Sequence, residues 1–196
     1  MKFKKLQSIA LFGTSADPPT IGHKKILEEL SKIFSYTVSY ASDNPQKKHK
    51  EDISTRSFLL RTLIEDLNNP KILFNQDISS QWTIESIKKC KEIYNYTQID
   101  FVIGSDLITE IFSWKNFNKI IKEVSFFIIK REGYPIESNT LRIMEKHRIN
   151  FEISSLNIPN SSSSMARLKS NYSNLPKSII NLVKKNNLYV PTKSAE

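Results

Sequence analysis

Apolar residues along this chain switch repeatedly between two spacings. Ser8 to Phe12 is a short continuous apolar run that stops at Gly13, which predicts a buried strand. Residues 14–19 (TSADPP) are turn chemistry. From Thr20 to Phe34, Ile21, Ile26, Leu27, Leu30 and Ile33 recur at helical spacing. Tyr36 to Ala41 is β-branched and aromatic and reads as a second strand. Residues 42–53 are polar, lysine-rich and hold Pro45, so they read as a loop. A helix follows over 55–67, with Phe58, Leu59, Leu63, Ile64 and Leu67 on one side. Next come a weak strand over 71–74 and a helix over 83–94 with Ile84, Ile87 and Ile93 inward. A strand over 99–103 stops at Gly104. Short helices over 107–112 and 117–122 precede a strongly apolar strand over 124–129. A short strand over 150–153 and a final helix over 176–185 with a polar tail complete the pattern.

Strands that alternate with helices need crossover connections. The expected product is an α/β, Rossmann-like, doubly wound and mainly parallel sheet flanked by helices. The 196 residues fit a single domain, with a core over about 8–185 and a polar tail over 186–196. The serine run at 161–164 resembles a linker, but it lies too near the end to separate two domains. No internal repeat is visible.

Hydrophobic residues at 39% and charged residues at 25% exclude a disordered, collagen-like or fibrous chain. The longest apolar run, 124–129, is far short of the ~20 residues of a membrane span. The basic-then-apolar opening has too short an apolar part for a signal peptide and no small-residue cleavage site after it. The lone Cys90 excludes an internal disulfide framework, points to a reducing cytoplasm, and has no Cys or His at ligand spacing, so it reads as a buried structural thiol. Net charge is +9, yet only six of the 29 basic residues are arginine. Dedicated nucleic-acid surfaces cluster arginine as well as lysine, so no nucleic-acid partner is expected. The charge is either compositional or a basic cleft that concentrates small anions.

In such sheets, ligands bind beyond the carboxyl ends of the strands. The chain has four glycines, and Gly13, Gly22 and Gly104 fall in three candidate site segments. The first segment, Gly13-Thr14-Ser15-Ala16-Asp17-Pro18-Pro19-Thr20-Ile21-Gly22-His23, joins a strand to a helix. Its turn and helix-start N–H groups can cradle phosphate, with Thr20 as cap and His23 one turn in as a donor. A capped helix with a locally packed histidine is the plainer alternative. The second is Ser161-Ser162-Ser163-Ser164-Met165-Ala166-Arg167, where hydroxyls and an arginine at a helix start make an anion site or only a serine-rich loop. The third is Gly104-Ser105-Asp106 followed by Trp114-Lys115, where Asp106 is a ribose acceptor or a helix cap and Trp114 a stacking ring or a core aromatic. Lys47-Lys48-His49-Lys50 is a basic loop, and Trp82-Thr83 opens a helix. No zinc pattern, Walker sequence or nucleophile elbow is present.

Together these strings resemble the nucleotidyltransferase superfamily marked by (H/T)-x-G-H near the N-terminus and S-[ST]-x-x-R near the C-terminus. Within it they are most similar to bacterial nicotinate (nicotinamide) mononucleotide adenylyltransferases. The family opening G-G-T-F-D-P-P-H-x-G-H corresponds to Gly13–His23, with Thr14, Ala16 and Thr20 as departures. The P-H-K loop resembles Pro45–Lys50, with Lys48 in place of the proline. S-Y-T-I-D-T-L resembles Gln81–Ile87, with Trp82 for tyrosine. G-x-D with its tryptophan-lysine pair matches Gly104-Ser105-Asp106 and Trp114-Lys115. R-P-G-Y resembles Arg131–Tyr134, and I-S-S-T-x-I-R is matched by Ser162–Arg167, with Ser164 for threonine. The likeness covers about residues 8–185.

The resemblance implies transfer of AMP from ATP to nicotinate mononucleotide, giving deamido-NAD and pyrophosphate. It implies that His23 and Thr20 hold the α- and β-phosphates and that Arg167, Ser163 and Ser164 hold the leaving pyrophosphate. The turn of Gly13, Thr14 and Ser15 would contact both substrates' phosphates, and Gly104 and Asp106 would hold adenosine. Trp114 would stack on the pyridine, with Trp82 and Thr83 beside its carboxylate or amide, and Lys50 and Arg131 on the mononucleotide side. Mg²⁺ would be bound mainly through ATP phosphates, with no protein metal site. Two alternatives stay open: another small-molecule nucleotidyltransferase of the phosphopantetheine adenylyltransferase kind, and a non-catalytic nucleotide- or RNA-binding protein on the same scaffold. Oligomeric state, including a homo-oligomer, is open too.

Overall fold

Six strands form one sheet in which every neighbouring pair is parallel. They are β1 (Lys5–Thr14), β2 (Phe34–Ala41), β3 (Ile72–Phe74), β4 (Ile99–Gly104), β5 (Ser125–Ile129) and β6 (Phe151–Ile153), in the order β3-β2-β1-β4-β5-β6. This is a computed structural model, and it describes residues 5–45, 47–95, 98–156, 158, 163–169 and 172–190. Among these residues seven α-helices connect or flank the strands: α1 (Ile21–Ile33), α2 (Ile53–Leu67), α3 (Thr83–Tyr94), α4 (Phe117–Glu123), α5 (Ser138–Lys146), α6 (Ser163–Lys169) and α7 (Lys177–Lys185).

Period-two alternation sends the strand residues to two cores. Ala10, Phe12, Val102, Phe127 and Ile129 face one layer, where Leu27 and Leu30 of α1, Leu59 and Leu63 of α2, and Ile179 and Val183 of α7 pack. Ile9, Leu11, Phe101, Ile103, Phe126 and Ile128 face the other, against Ile84, Ile87 and Cys90 of α3, Ile120 of α4 and Met144 of α5. Helices on both faces of a parallel sheet make the expected doubly wound α/β fold. Cys90 is the expected buried thiol, and burial pushes its pKa up to about 12.

Four expectations need correction. The predicted helix over 107–112 is instead two 3-10 turns, Ser105–Leu107 and Glu110–Ser113. Each turn buries a single residue, Ser105 or Ile111, with Ile108 between them, which is too few inward positions to sustain an α-helical stripe. Phe58 and Ile93, placed on inward faces by periodicity, are 52% and 49% exposed. Cys90 takes the inward position on α3. Helix α5 has no counterpart in the apolar pattern, because Met144 is its one buried residue among those described.

Strands β1 and β4 are neighbours, yet the chain leaves them in opposite directions, towards β2 and towards β5. Loops diverge there and leave a crevice at the carboxyl ends of both strands.

Candidate active site

The loop after β1 is held from behind by a buried cation. Arg56 of α2 is 1% exposed. Its Nη1 donates to the carbonyls of Ser15 (2.8 Å) and Ser42 (2.9 Å), and its Nε to that of Glu51 (3.1 Å). One side chain thereby joins the loops that follow β1 and β2. Asp17, 2% exposed, does the same from the other side. Its carboxylate accepts from the backbone N–H groups of Lys50 (2.8 Å) and Glu51 (3.3 Å). Ala16 between them has φ 45°, a left-handed conformation that costs about 1–2 kcal/mol outside glycine. Gly13 is required by close approach, since a Cβ there would lie 2.6 Å from the Tyr40 ring.

Thr20 caps α1, and His23 is the third helical residue. The Thr20 backbone N–H donates to His23 Nδ1 at 3.0 Å, and the Thr20 hydroxyl lies 2.8 Å from the same nitrogen. With Nδ1 occupied as acceptor, the ring proton sits on Nε2, which donates to Thr14 Oγ1 at 2.9 Å. Burial, and secondarily the positive Arg131, lower the His23 pKa to about 4. At neutral pH the ring is therefore uncharged, with a single donor aimed at the end of β1.

Helix α6 faces this loop. Ser163 Oγ donates to the Pro18 carbonyl at 2.8 Å. Arg167 Nη1 donates to the Asp17 carbonyl, its Nη2 donates to Ser164 Oγ at 3.0 Å, and the guanidinium lies 3.5 Å from the Asp17 carboxylate. Three of the five guanidinium N–H groups stay free of these bonds. Ser161 and Ser162 lie outside the described residues.

On the β4 side, Asp106 pairs with Arg131 at 2.9 Å. A Cβ on Gly104 would collide with Asp106 Oδ1 and lie 2.6 Å from Arg131 Cδ, so both side chains would have to shift to accommodate it. Ser105 Oγ accepts from the Arg131 N–H (2.9 Å) and donates to the Tyr134 carbonyl (2.8 Å). This fixes the tight turn 131–134, where Gly133 supplies φ 82°. Trp114 packs edge-on against Phe101, with centroids 5.9 Å apart. Trp82 is half-buried at the start of α3, and Lys115 Nζ sits 4.1 Å from its ring centroid.

These groups surround one cleft of about 930 Å³. It is lined by Gly13, Thr14, Ser15, Thr20, His23, Trp82, Thr83, Gly104, Asp106, Trp114, Arg131, Ser163, Ser164 and Arg167. Every candidate site residue is thus brought together except Lys50, whose exposed side chain does not line the cleft and whose backbone serves Asp17. Lys47, Lys48 and His49 of the same loop do line it. Sequence reasoning missed Arg56 and Asp17 as supports. Arg56 shares a helical stripe with Leu59, Leu60, Leu63 and Ile64, and that spacing is the local sign that its side chain points inward.

A basic cleft at the switch point of a 3-2-1-4-5-6 sheet, with a helix-start histidine and a facing serine-arginine helix, defines a nucleotide-handling α/β protein. The sequence pattern of the family described as Cytidylyltransferase-like matches residues 11–168. A Synechocystis protein named probable nicotinate-nucleotide adenylyltransferase is 32% identical over 143 residues, 68% of this chain and 72% of that protein. One of the same name from Clostridium perfringens is 26% identical over 204 residues, 94% of this chain and 98% of its own. The nicotinic acid mononucleotide adenylyltransferase of Plasmodium falciparum, solved in complex with NaAD, superposes with a TM-score of 0.75 at 25% identity, covering 93% of this chain and 97% of that one. The chain belongs to the cytidylyltransferase-like family and, within it, to the nicotinate-nucleotide adenylyltransferases.

Proposed function

We propose that this chain joins ATP and nicotinate mononucleotide into deamido-NAD and pyrophosphate, a step of NAD biosynthesis, and that the cleft residues above divide the work as follows. The mononucleotide phosphate attacks the α-phosphorus of ATP. A P–O bond forms to it, the bond to the β-phosphate oxygen breaks, and pyrophosphate leaves with that electron pair. The attacking oxygen is already anionic, so no side chain need serve as nucleophile or base. The chain's task is to align two repelling anions and to match the charge that develops.

The observation that carries this reading is the aim of His23. Its Nδ1 is consumed by Thr20, so only the Nε2–H remains, and an α-phosphate oxygen takes the place of Thr14 Oγ1 as acceptor. Arg167, fixed to the opposite wall by the Asp17 carbonyl and Ser164, offers its remaining N–H groups to the departing pyrophosphate. Ser163 fastens α6 to Pro18 and sets its distance from the loop. Gly104 and Asp106 take adenosine, Trp114 stacks on the pyridine, and Trp82 and Thr83 flank its C3 substituent. Arg131 serves the mononucleotide side. Lys50 acts through its backbone bond to Asp17.

Among the described residues, no three His, Cys, Asp or Glu side chains gather round one point, and the Asp17 carboxylate is occupied by two backbone N–H groups. Mg²⁺ would be held mainly by the ATP phosphates rather than by side chains of this chain, and would supply neutralisation of the triphosphate charge. No helix among the described residues is long and apolar enough to cross a membrane, and the lone cysteine suits a cytoplasmic enzyme. The test is pyrophosphate release from ATP with each pyridine mononucleotide and with phosphopantetheine. Release with nicotinate mononucleotide is expected; release with phosphopantetheine alone would overturn the reading.

A further inference from the structure

The two pyridine mononucleotides differ in one group, and the cleft holds a side chain that reads that difference. Lys115 follows Trp114, lines the cleft, and lays its ammonium over the Trp82 ring at 4.1 Å from the centroid. Indole faces attract cations, so the ring holds an otherwise free lysine in place. The carboxylates lining the same cleft do not take this charge. Asp106 is paired with Arg131, Asp17 is bound to the loop and near Arg167, and neither Glu110 nor Glu132 forms an ion pair with Lys115 among the described residues. Lys115 thus stands as a cation with no ion-pair partner among the described residues, laid on the ring of Trp82 and next in sequence to Trp114, both of which line the cleft.

A pyridine ring bound to ribose through its nitrogen carries a positive charge. With a carboxylate at C3 it is a neutral zwitterion, and with a carboxamide it is a net cation. The indole of Trp114 stacks on both. A fixed ammonium beside the ring gains a charge-assisted contact with the first and repels the second.

We propose that Lys115, held on the face of Trp82, is the specificity-determining residue that makes this cleft select nicotinate over nicotinamide mononucleotide. The inference rests on the proposed adenylyl transfer and assigns its choice of acceptor to one side chain. Lys115 is exposed and rests on the Trp82 ring, so its replacement leaves the core packing intact.

The experiment measures kcat/KM for both mononucleotides at fixed ATP and Mg²⁺ in wild type, Lys115→Met and Lys115→Arg, with calorimetric binding of each mononucleotide alongside. The wild type is expected to prefer the acid by at least about 10-fold, the scale of one charge-assisted hydrogen bond. Lys115→Met is expected to lower kcat/KM for the acid by about 10-fold while the amide value holds or rises, and Lys115→Arg is expected to keep the preference. An acid preference that survives in Lys115→Met, or an equal fall for both substrates, overturns the assignment. A wild type that binds and turns over neither mononucleotide overturns the adenylyl-transfer reading itself.

Discussion

Replacing His23 by alanine removes the donor proposed for the α-phosphate and one acceptor from the helix start, and the two losses are separable. The Nε2–H is the single donor the neutral ring can offer, because Nδ1 accepts from Thr20. Loss of a donor that acts on developing charge lowers kcat by roughly 10²- to 10³-fold, about 3–4 kcal/mol of barrier. The Thr20 N–H also loses its partner, which costs about 1 kcal/mol of stability, too little to unfold the protein.

The same variant carries a pH signature. Burial first, and Arg131 second, lower the His23 pKa from 6.5 to about 4. The unfolded chain takes up a proton here as pH falls through 6.5, and the folded protein does so only near 4, so stability falls across that window. The loss reaches at most about 3 kcal/mol at pH 4, less with partial exposure to cleft water. His23→Ala lacks this contribution. In urea melts the wild type is expected to be the more stable protein at pH 7 and to lose that advantage by pH 4.5, where the order of the two reverses if the full loss is realised, while pyrophosphate release at pH 7 is expected to differ by two orders of magnitude. A soluble, folded variant with kcat within about threefold of wild type would remove His23 from the mechanism. Parallel pH slopes would show that its ring is not held neutral in the fold.

Arg167→Ala is expected to weaken ATP and pyrophosphate together by about 10-fold or more, since both lose the same charge-assisted contacts; an unchanged pyrophosphate affinity in the reverse reaction would show that Arg167 faces another group. Arg56→Leu strands the carbonyls of Ser15, Ser42 and Glu51, and a loss of about 2–4 kcal/mol is expected, a fall in Tm of about 5–15 °C. Calorimetry with no shift would refute that support role. Trp114→Ala is expected to raise KM for both mononucleotides by roughly 10-fold through lost stacking, with their ratio unchanged; an unequal rise would transfer selectivity from Lys115 to Trp114.

Much of the fold was legible because strand and helix patterns depend on local spacing. Runs at Ser8–Phe12 and Ile99–Ile103 bury both faces in a parallel sheet and so read as mostly apolar stretches, the second broken only by the buried Asp100. Gly13 and Gly104 marked the strand ends where backbone and side chains crowd. Helix α5 was not legible because a helix that buries one residue among those described writes no stripe into the sequence. Phe58 and Ile93 obey the helical period and still face water, because what lies opposite a helix face is decided by the rest of the chain.

The site divides in the same way. The strings around His23 and Arg167 were legible as candidate phosphate-binding segments, since helix starts, hydroxyls and a nearby cation are local features. What those strings do to one another was decided only by the tertiary structure. Asp17 and Arg167 are far apart in sequence and meet as one support, and Arg56 ties the loop after β1 to the loop after β2 through the carbonyls of Ser15, Ser42 and Glu51. Lys115 finds the Trp82 ring only because α3 and the segment after β4 flank one crevice. Local spacing specifies which groups are present and how each short stretch folds. The sheet order specifies which of them converge, because only chain crossings bring distant carbonyls, rings and charges within hydrogen-bonding range.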